Sequence, residues 1–163
     1  MKKLLLAAAV VAVLPIAGMA QLSSNWAVNL RSDPMTDKKE GGAVLFGTNG
    51  SRLLVACNGL IEKTLSIQFF PKSYLGSRDN VVMVRFDSDS PLPATVWTYA
   101  KDGAYTINPA YVDAFSVRVG TGATSIIVRA LNYEDQPLDA VFVSNNGLVA
   151  INQVRQACGK PAQ

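Results

Sequence analysis

Histidine is absent from this chain of 163 residues, and cysteine occurs only twice, as Cys57 and Cys158. Without histidine, Ser–His–Asp and Cys–His nucleophile systems have no base, so those hydrolase classes are excluded. General acid–base work would fall to Asp, Glu, Lys or Tyr, and a zinc or copper site has almost no ligands left. Ser-x-x-Lys and Gly-x-Ser-x-Gly patterns are missing, as is a phosphate-binding loop. A protein without enzymatic activity or cofactor is expected. Strong charge of one sign is lacking too. The 15 Lys and Arg residues stand against 12 Asp and Glu, with no basic tract or stripe, which argues against nucleic-acid binding.

What is present begins at the N-terminus. Lys2 and Lys3 precede an apolar run over residues 4–17, broken late by Pro15, and Gly18, Met19 and Ala20 follow as small or compact residues. This is the pattern of a secretory signal peptide over residues 1–20. The run of 14 residues is short of the roughly 20 that span a bilayer, so no membrane anchor is expected after cleavage. No cysteine follows the cleavage point, which argues against a lipid anchor. A periplasmic location is expected, with a mature chain from Gln21. Removal of 20 residues leaves 143, with 13 basic and 12 acidic side chains, the size of one β-rich domain over 21–163. In an oxidising compartment Cys57 and Cys158 are expected to bridge, closing a loop of 102 residues. Two buried thiols, or one reactive thiol, are the competing forms.

The first half of the mature chain predicts strands over 26–30, 43–46, 52–57, 64–70 and 80–86, rich in β-branched and aromatic residues. Turn chemistry separates them: Asn49-Gly50, Asn58-Gly59, Gly76 with Ser77, and residues 87–93. Leu53, Val55 and Cys57 alternate onto one face, as do Leu65, Ile67 and Phe69. Asn108-Pro109 predicts a helix start, with Val112, Phe115 and Val119 on its apolar face and Gly120 as C-cap. Residues 115–119 also alternate as a strand would. Strands are predicted over 125–131 and 139–143. A final helix is predicted over 147–158, capped by Asn145 or Asn146, striped by Leu148, Ile151, Val154 and Ala157 or Cys158, and ended by Gly159. The fold class expected is α+β and strand-rich: an antiparallel, sandwich-like β-domain with two short helices and one disulfide.

A series of short segments carries a family resemblance. Trp26 is followed by Asp33-Pro34-Met35-Thr36-Asp37, then Leu54-Val55-Ala56-Cys57, Tyr74-Leu75-Gly76, Val84-Arg85-Phe86-Asp87 and an isolated Trp97. Toward the end come Ile127-Val128-Arg129, Pro137-Leu138-Asp139-Ala140-Val141-Phe142, Gly147-Leu148-Val149-Ala150-Ile151 and Val154-Arg155-Gln156-Ala157-Cys158. The series resembles the periplasmic accessory proteins of type VI secretion, the VasI/TagO-like family, across nearly all of the mature chain. The resemblance implies a small non-enzymatic envelope protein, with peptidoglycan or a component of the secretion apparatus as partner.

Several constellations are candidates for the contact surface. Arg85 and Asp87, two apart on a strand, are expected on one face; they form either an intramolecular pair or a grip for a carboxylate. Asp33 and Asp37 lie in a loop, as partners for Arg85 or Arg129, as a ligand-gripping loop, or as a sparse calcium loop. Trp26, Trp97, Tyr74, Tyr99 and Tyr105 are either a sugar-stacking platform or core, with Tyr74 the one expected at the surface. Asn49-Gly50-Ser51 matches a glycosylation acceptor and also a hairpin turn. Arg85, Asp87, Tyr74, Asp37 and Arg129 are the binding residues expected. The function expected is an exported binding module at the interface of cell wall and apparatus. A protein inhibitor of an exported hydrolase such as lysozyme, or a phage or immunity factor of the envelope, is the alternative.

Overall fold

The computed structural model describes residues 25–58 and 63–163. The expected signal peptide, the start at Gln21 and Gly59 of the Asn58-Gly59 turn lie outside them. In chain order the elements are β1 (Ala27–Ser32), β2 (Lys39–Phe46), β3 (Arg52–Asn58), β4 (Thr64–Phe70), β5 (Asn80–Phe86), β6 (Thr95–Ala100), β7 (Gly103–Thr106), α1 (Pro109–Gly120), β8 (Ser125–Leu131), β9 (Pro137–Val143) and α2 (Gly147–Ala157). The strands form one antiparallel sheet of nine in the order β1-β2-β3-β4-β7-β6-β5-β8-β9.

Alternation sets the two faces of the sheet. Leu53, Val55 and Cys57 on β3 stand opposite Phe69, Ile67 and Leu65 on β4, and all six are buried. Val82, Val84 and Phe86 do the same on β5, facing Ile126 and Val128 from β8. The sheet then curls until its two edges meet. Asn25, just before β1, bridges Asn145, just after β9, and Trp26 Nε1 donates to Ser144 Oγ at 2.9 Å. Thr48 Oγ1 accepts from Val141 N at 3.0 Å. Inside the curl, Phe142 of β9 meets Phe69 of β4 edge-on, with ring centroids 6.2 Å apart. Gly47 is what lets Phe142 in: a Cβ there would lie 2.5 Å from the ring. The sandwich-like expectation is therefore met by a single sheet folded over on itself.

Both helices pack on the buried face. Asn108 Oδ1 accepts from Tyr111 N at 3.2 Å and Pro109 opens α1, so the cap chemistry and the inward row of Val112, Phe115 and Val119 prevail over the strand-like reading of this stretch. Phe115 meets Phe86 edge-on at 5.2 Å. At α2, Asn146 occupies the cap position with φ 57 and its side chain makes no capping bond; α2 relies on its buried Ala150, Ile151 and Val154. Cys158, at the C-cap, is bonded to Cys57 on β3, with Cα atoms 5.3 Å apart. Arg155, almost wholly buried, links the helices: Nη1 reaches Asp113 Oδ1 at 2.7 Å and Nε donates to the Pro161 carbonyl.

Two strands escaped the sequence. β6 and β7 lie in a stretch for which the sequence predicts no strand, although Trp97 and Tyr99 alternate inward and Lys101-Asp102 is a two-residue hairpin turn with Lys101 at φ 59. β2 also begins four residues earlier than expected, because Gly41 and Gly42 carry no strand signal of their own yet pair with Cys57 and Ala56.

Two predictions follow from this packing. Reduction of the Cys57–Cys158 bond, or the pair Cys57→Ser and Cys158→Ser, should lower unfolding free energy in urea by about 4–5 kcal/mol on the chain-entropy account; an unchanged midpoint would show that α2 stays docked without it. Trp97 Nε1 and Tyr111 Oη are buried without a hydrogen-bond partner among the described residues, their rings edge-on at 6.0 Å, and burial pushes the Tyr111 phenol above its ordinary value. Tyr111→Phe should therefore stabilise the fold by about 1 kcal/mol, read from the same urea transitions; a loss of that size would mean the hydroxyl is satisfied in solution.

Candidate functional site

The outer face of β5, β8 and β9 is built by the alternate residues that the core does not take. Arg85 stands opposite Ile127, and Ile127 opposite Val141, in one row across the three strands. Met83, Arg129 and Asp139 form the next row. These six residues, with Pro91 from the loop after β5, line a groove of about 300 Å³. Within it Arg129 donates from Nε and Nη2 to Asp139 Oδ1 and Oδ2, both at 2.6 Å. The Arg129 hydrogen bonds hold the Asp139 carboxyl below its ordinary value. Arg85 is exposed and makes no ion pair or side-chain hydrogen bond among the described residues. The groove thus offers one occupied guanidinium, one free guanidinium and an apolar floor.

Of the residues expected at the site, Arg85 and Arg129 come together here and the others do not. Asp87 is not Arg85's partner. The strand ends at Phe86, Asp87 turns to φ 49, and the expected alternation stops with it. Its Oδ1 accepts from Thr124 Oγ1 at 2.8 Å, Thr124 N at 3.1 Å and Ser125 N at 2.9 Å, fastening the end of β5 to the start of β8. These donors, the Thr124 hydroxyl first, hold its carboxyl below the ordinary value.

Asp33 and Asp37 pair with neither Arg85 nor Arg129. They sit in the turn between β1 and β2, which β3, β4, β7 and β6 separate from β5 in the sheet order. Asp33 Oδ1 accepts from Thr36 Oγ1, Thr36 N and Met35 N at 2.8–2.9 Å, a local Asx-type turn. Its carboxyl is held below the ordinary value chiefly by the Thr36 hydroxyl. Asp37 adopts φ 52 in that turn. Among the described residues no three acidic, histidine or cysteine side chains converge as a metal ion would need.

The aromatic residues divide. Trp26, Trp97 and Tyr99 are core, and Tyr99 Oη accepts from Leu131 N at 3.2 Å. Tyr74 is 54% exposed and stacks at a tilt on Tyr133, itself 60% exposed, with centroids 5.6 Å apart. Tyr133 was not among the expected residues; it lies 59 positions away in the chain, and only the turn after β8 brings it over Gly76. Asn49-Gly50-Ser51 lies in the β2–β3 turn, with Ser51 buried and its hydroxyl donating to Thr48 O at 2.7 Å.

Arg85 and Asp87 therefore separate by experiment. Arg85→Ala should leave the melting temperature unchanged, whereas Asp87→Ala should lower it clearly. Because the Asp87 carboxyl is held low, its contribution is fully present above the ordinary 3.8 and is lost as pH falls through the folded-state value. Asp87→Asn should accordingly flatten the acid limb of a melting-temperature profile. An Arg85→Ala loss equal to that of Asp87→Ala would sink the distinction.

No family model, curated protein or solved structure matches this chain.

Proposed function

We propose that the chain is an exported, non-enzymatic binding module of the cell envelope, similar to the periplasmic accessory proteins of type VI secretion, and that it grips a carboxylate-bearing partner through the Arg85 groove. The single observation that carries the reading is Arg85: a guanidinium without a partner among the described residues, presented by a strand inside a nine-stranded sheet. A planar guanidinium can donate two parallel hydrogen bonds to a carboxylate. Arg129 has its Nε and one Nη2 donor engaged by Asp139, which fixes one wall of the groove and leaves Arg85 as the guanidinium with all its donors open.

Stem peptides of peptidoglycan combine free carboxylates with small apolar side chains. In the groove the carboxylate would meet Arg85, and methyl groups would rest on Met83, Ile127 and Val141. Supporting the compartment are the pattern of residues 1–20 and the Cys57–Cys158 bond, which suits an oxidising environment. A protein partner, such as an apparatus component, is the second reading. It is favoured by Val81 on β5, Val96 opposite it on β6 and Val143 on β9, which are exposed and extend the apolar area beyond the groove.

Co-sedimentation of the oxidised protein with insoluble peptidoglycan at physiological salt tests the first reading. Saturable pelleting is expected, weakened about tenfold or more by Arg85→Ala, the scale of one lost charge-assisted pair. If the protein stays in the supernatant, direct wall binding is wrong and a protein partner takes its place.

A further inference from the structure

Seven arginines lie among the described residues. Five have a carboxylate partner: Arg31 with Glu40, Arg78 with Asp135, Arg118 with Asp89, Arg129 with Asp139 and Arg155 with Asp113. The two that do not are Arg85 and Arg52, and each lines a concave surface. The surface at Arg52 shares no residue with the Arg85 groove. It is an open cleft of about 510 Å³ where the β2–β3 turn, the end of β4 and the β6–β7 hairpin meet, a volume within the range of small-ligand sites.

Each wall has a local cause. Arg52 opens β3 on the face opposite buried Leu53 and stands across the ladder from Phe70; its guanidinium carbon lies 5.0 Å over the Phe70 ring. A guanidinium resting on a ring keeps its N–H donors in its own plane, open to a ligand. Lys72 sits just beyond β4 at φ 61, a conformation uncommon for a side chain with a Cβ. Its stem crosses the turn at Gly50, where a Cβ would come within 3.1 Å of Lys72 Cδ and 3.4 Å of Nζ. Tyr74 supplies an exposed ring steadied by Tyr133, and Asp102 adds one carboxylate from the β6–β7 turn. Arg52, Lys72 and Asp102 form no ion pair within the described residues, with one another or elsewhere.

Two cations and one carboxylate around a single cleft select a ligand with one negative charge. A doubly charged phosphate would face Asp102 repulsion, whereas a carboxylate leaves Asp102 free to accept from hydroxyl donors. The exposed tyrosine face suits the C–H surface of a saturated ring. We propose that this cleft binds a carboxylated sugar, its carboxylate held by Arg52 and Lys72, its ring on Tyr74 and its hydroxyls on Asp102. The site stands independently of the Arg85 groove.

NMR titration of the oxidised, ¹⁵N-labelled protein tests it, reading Arg52 Nε–Hε and the amides of Lys72 and Tyr74. The probes are a glucuronic acid oligosaccharide, N-acetylmuramic acid and, as neutral control, N-acetylglucosamine trimer. Saturable shifts with an acidic probe and none with the neutral trimer are expected. Arg52→Ala should raise Kd about tenfold, the scale of one charge-assisted contact, while Arg85→Ala leaves it unchanged. Both replaced side chains are exposed, so an unaltered melting temperature verifies the fold. A response to the uronate points to an acidic polysaccharide as source, and one to the muramic acid points to wall glycan stripped of its stem peptides, where the carboxylate is free; either upholds the shared chemistry. Equal response to the neutral trimer, silence with both acids, or an unchanged Kd in Arg52→Ala overturns the proposal.

Discussion

The attachment of α2 to the concave side of the sheet is the constraint on which the rest of the structure depends. A sheet curled this far has a wide apolar interior, and Phe142 of β9 reaches across it to Phe69 of β4. Elsewhere the helices fill it. α2 has no side-chain cap at its N-terminus, so its position is set by its buried stripe, by Arg155 on Asp113 and by the covalent bond from Cys158 to Cys57. Lys63 adds a hydrogen bond to the Ala157 carbonyl at the same helix end. A covalent link across a sequence separation of 101 residues restricts the unfolded chain far more than a local turn could. It also places the α2 C-terminus beside the buried face of β3, not merely near it.

With the interior occupied in this way, both surfaces proposed for binding lie on the outside. The outer face and the loop end of the sheet use the same device in two versions. In the Arg85 groove a free guanidinium stands among Met83, Ile127 and Val141, a setting for a carboxylate attached to something apolar. In the Arg52 cleft the guanidinium lies on Phe70 and is joined by Lys72, Tyr74 and Asp102, a setting for a charged and hydroxylated ring. Both are shallow surfaces on a rigid frame. Side-chain pairing elsewhere sharpens the contrast, since an arginine already held by a carboxylate has little to gain from a ligand.

Much of the frame was readable because alternation and capping are local. Leu53, Val55 and Cys57 declare a buried face whatever their neighbours, and Asn108-Pro109 declares a helix start within one turn of chain. β6 and β7 were not recognised because both are short and lie between turn-forming residues. They pair with each other through the Lys101-Asp102 turn, and their place in the sheet comes from ladder bonds to β5 and, farther off in sequence, to β4. The disulfide was legible for a different reason: two cysteines in a chain expected to be exported leave one pairing.

The candidate site was legible only in its residue types. The sequence by itself determined the alternating faces of β3, β4 and β5, where the helices begin and that Arg85 stands on the face opposite Val82, Val84 and Phe86. It did not determine every buried position, since Leu148, expected on the stripe of α2, is exposed. Only the tertiary structure decided which charges meet, because ion pairing depends on register between strands. Arg129 found Asp139 directly across the β8–β9 ladder, Asp87 turned to Thr124 and Ser125 at the end of β5, and among the described residues Arg85 and Arg52 were left with their donors free. For the Asp87 carboxylate, a guanidinium two residues away in sequence lost to backbone amides 37 and 38 residues away, since a turn at positive φ aimed the carboxylate at them.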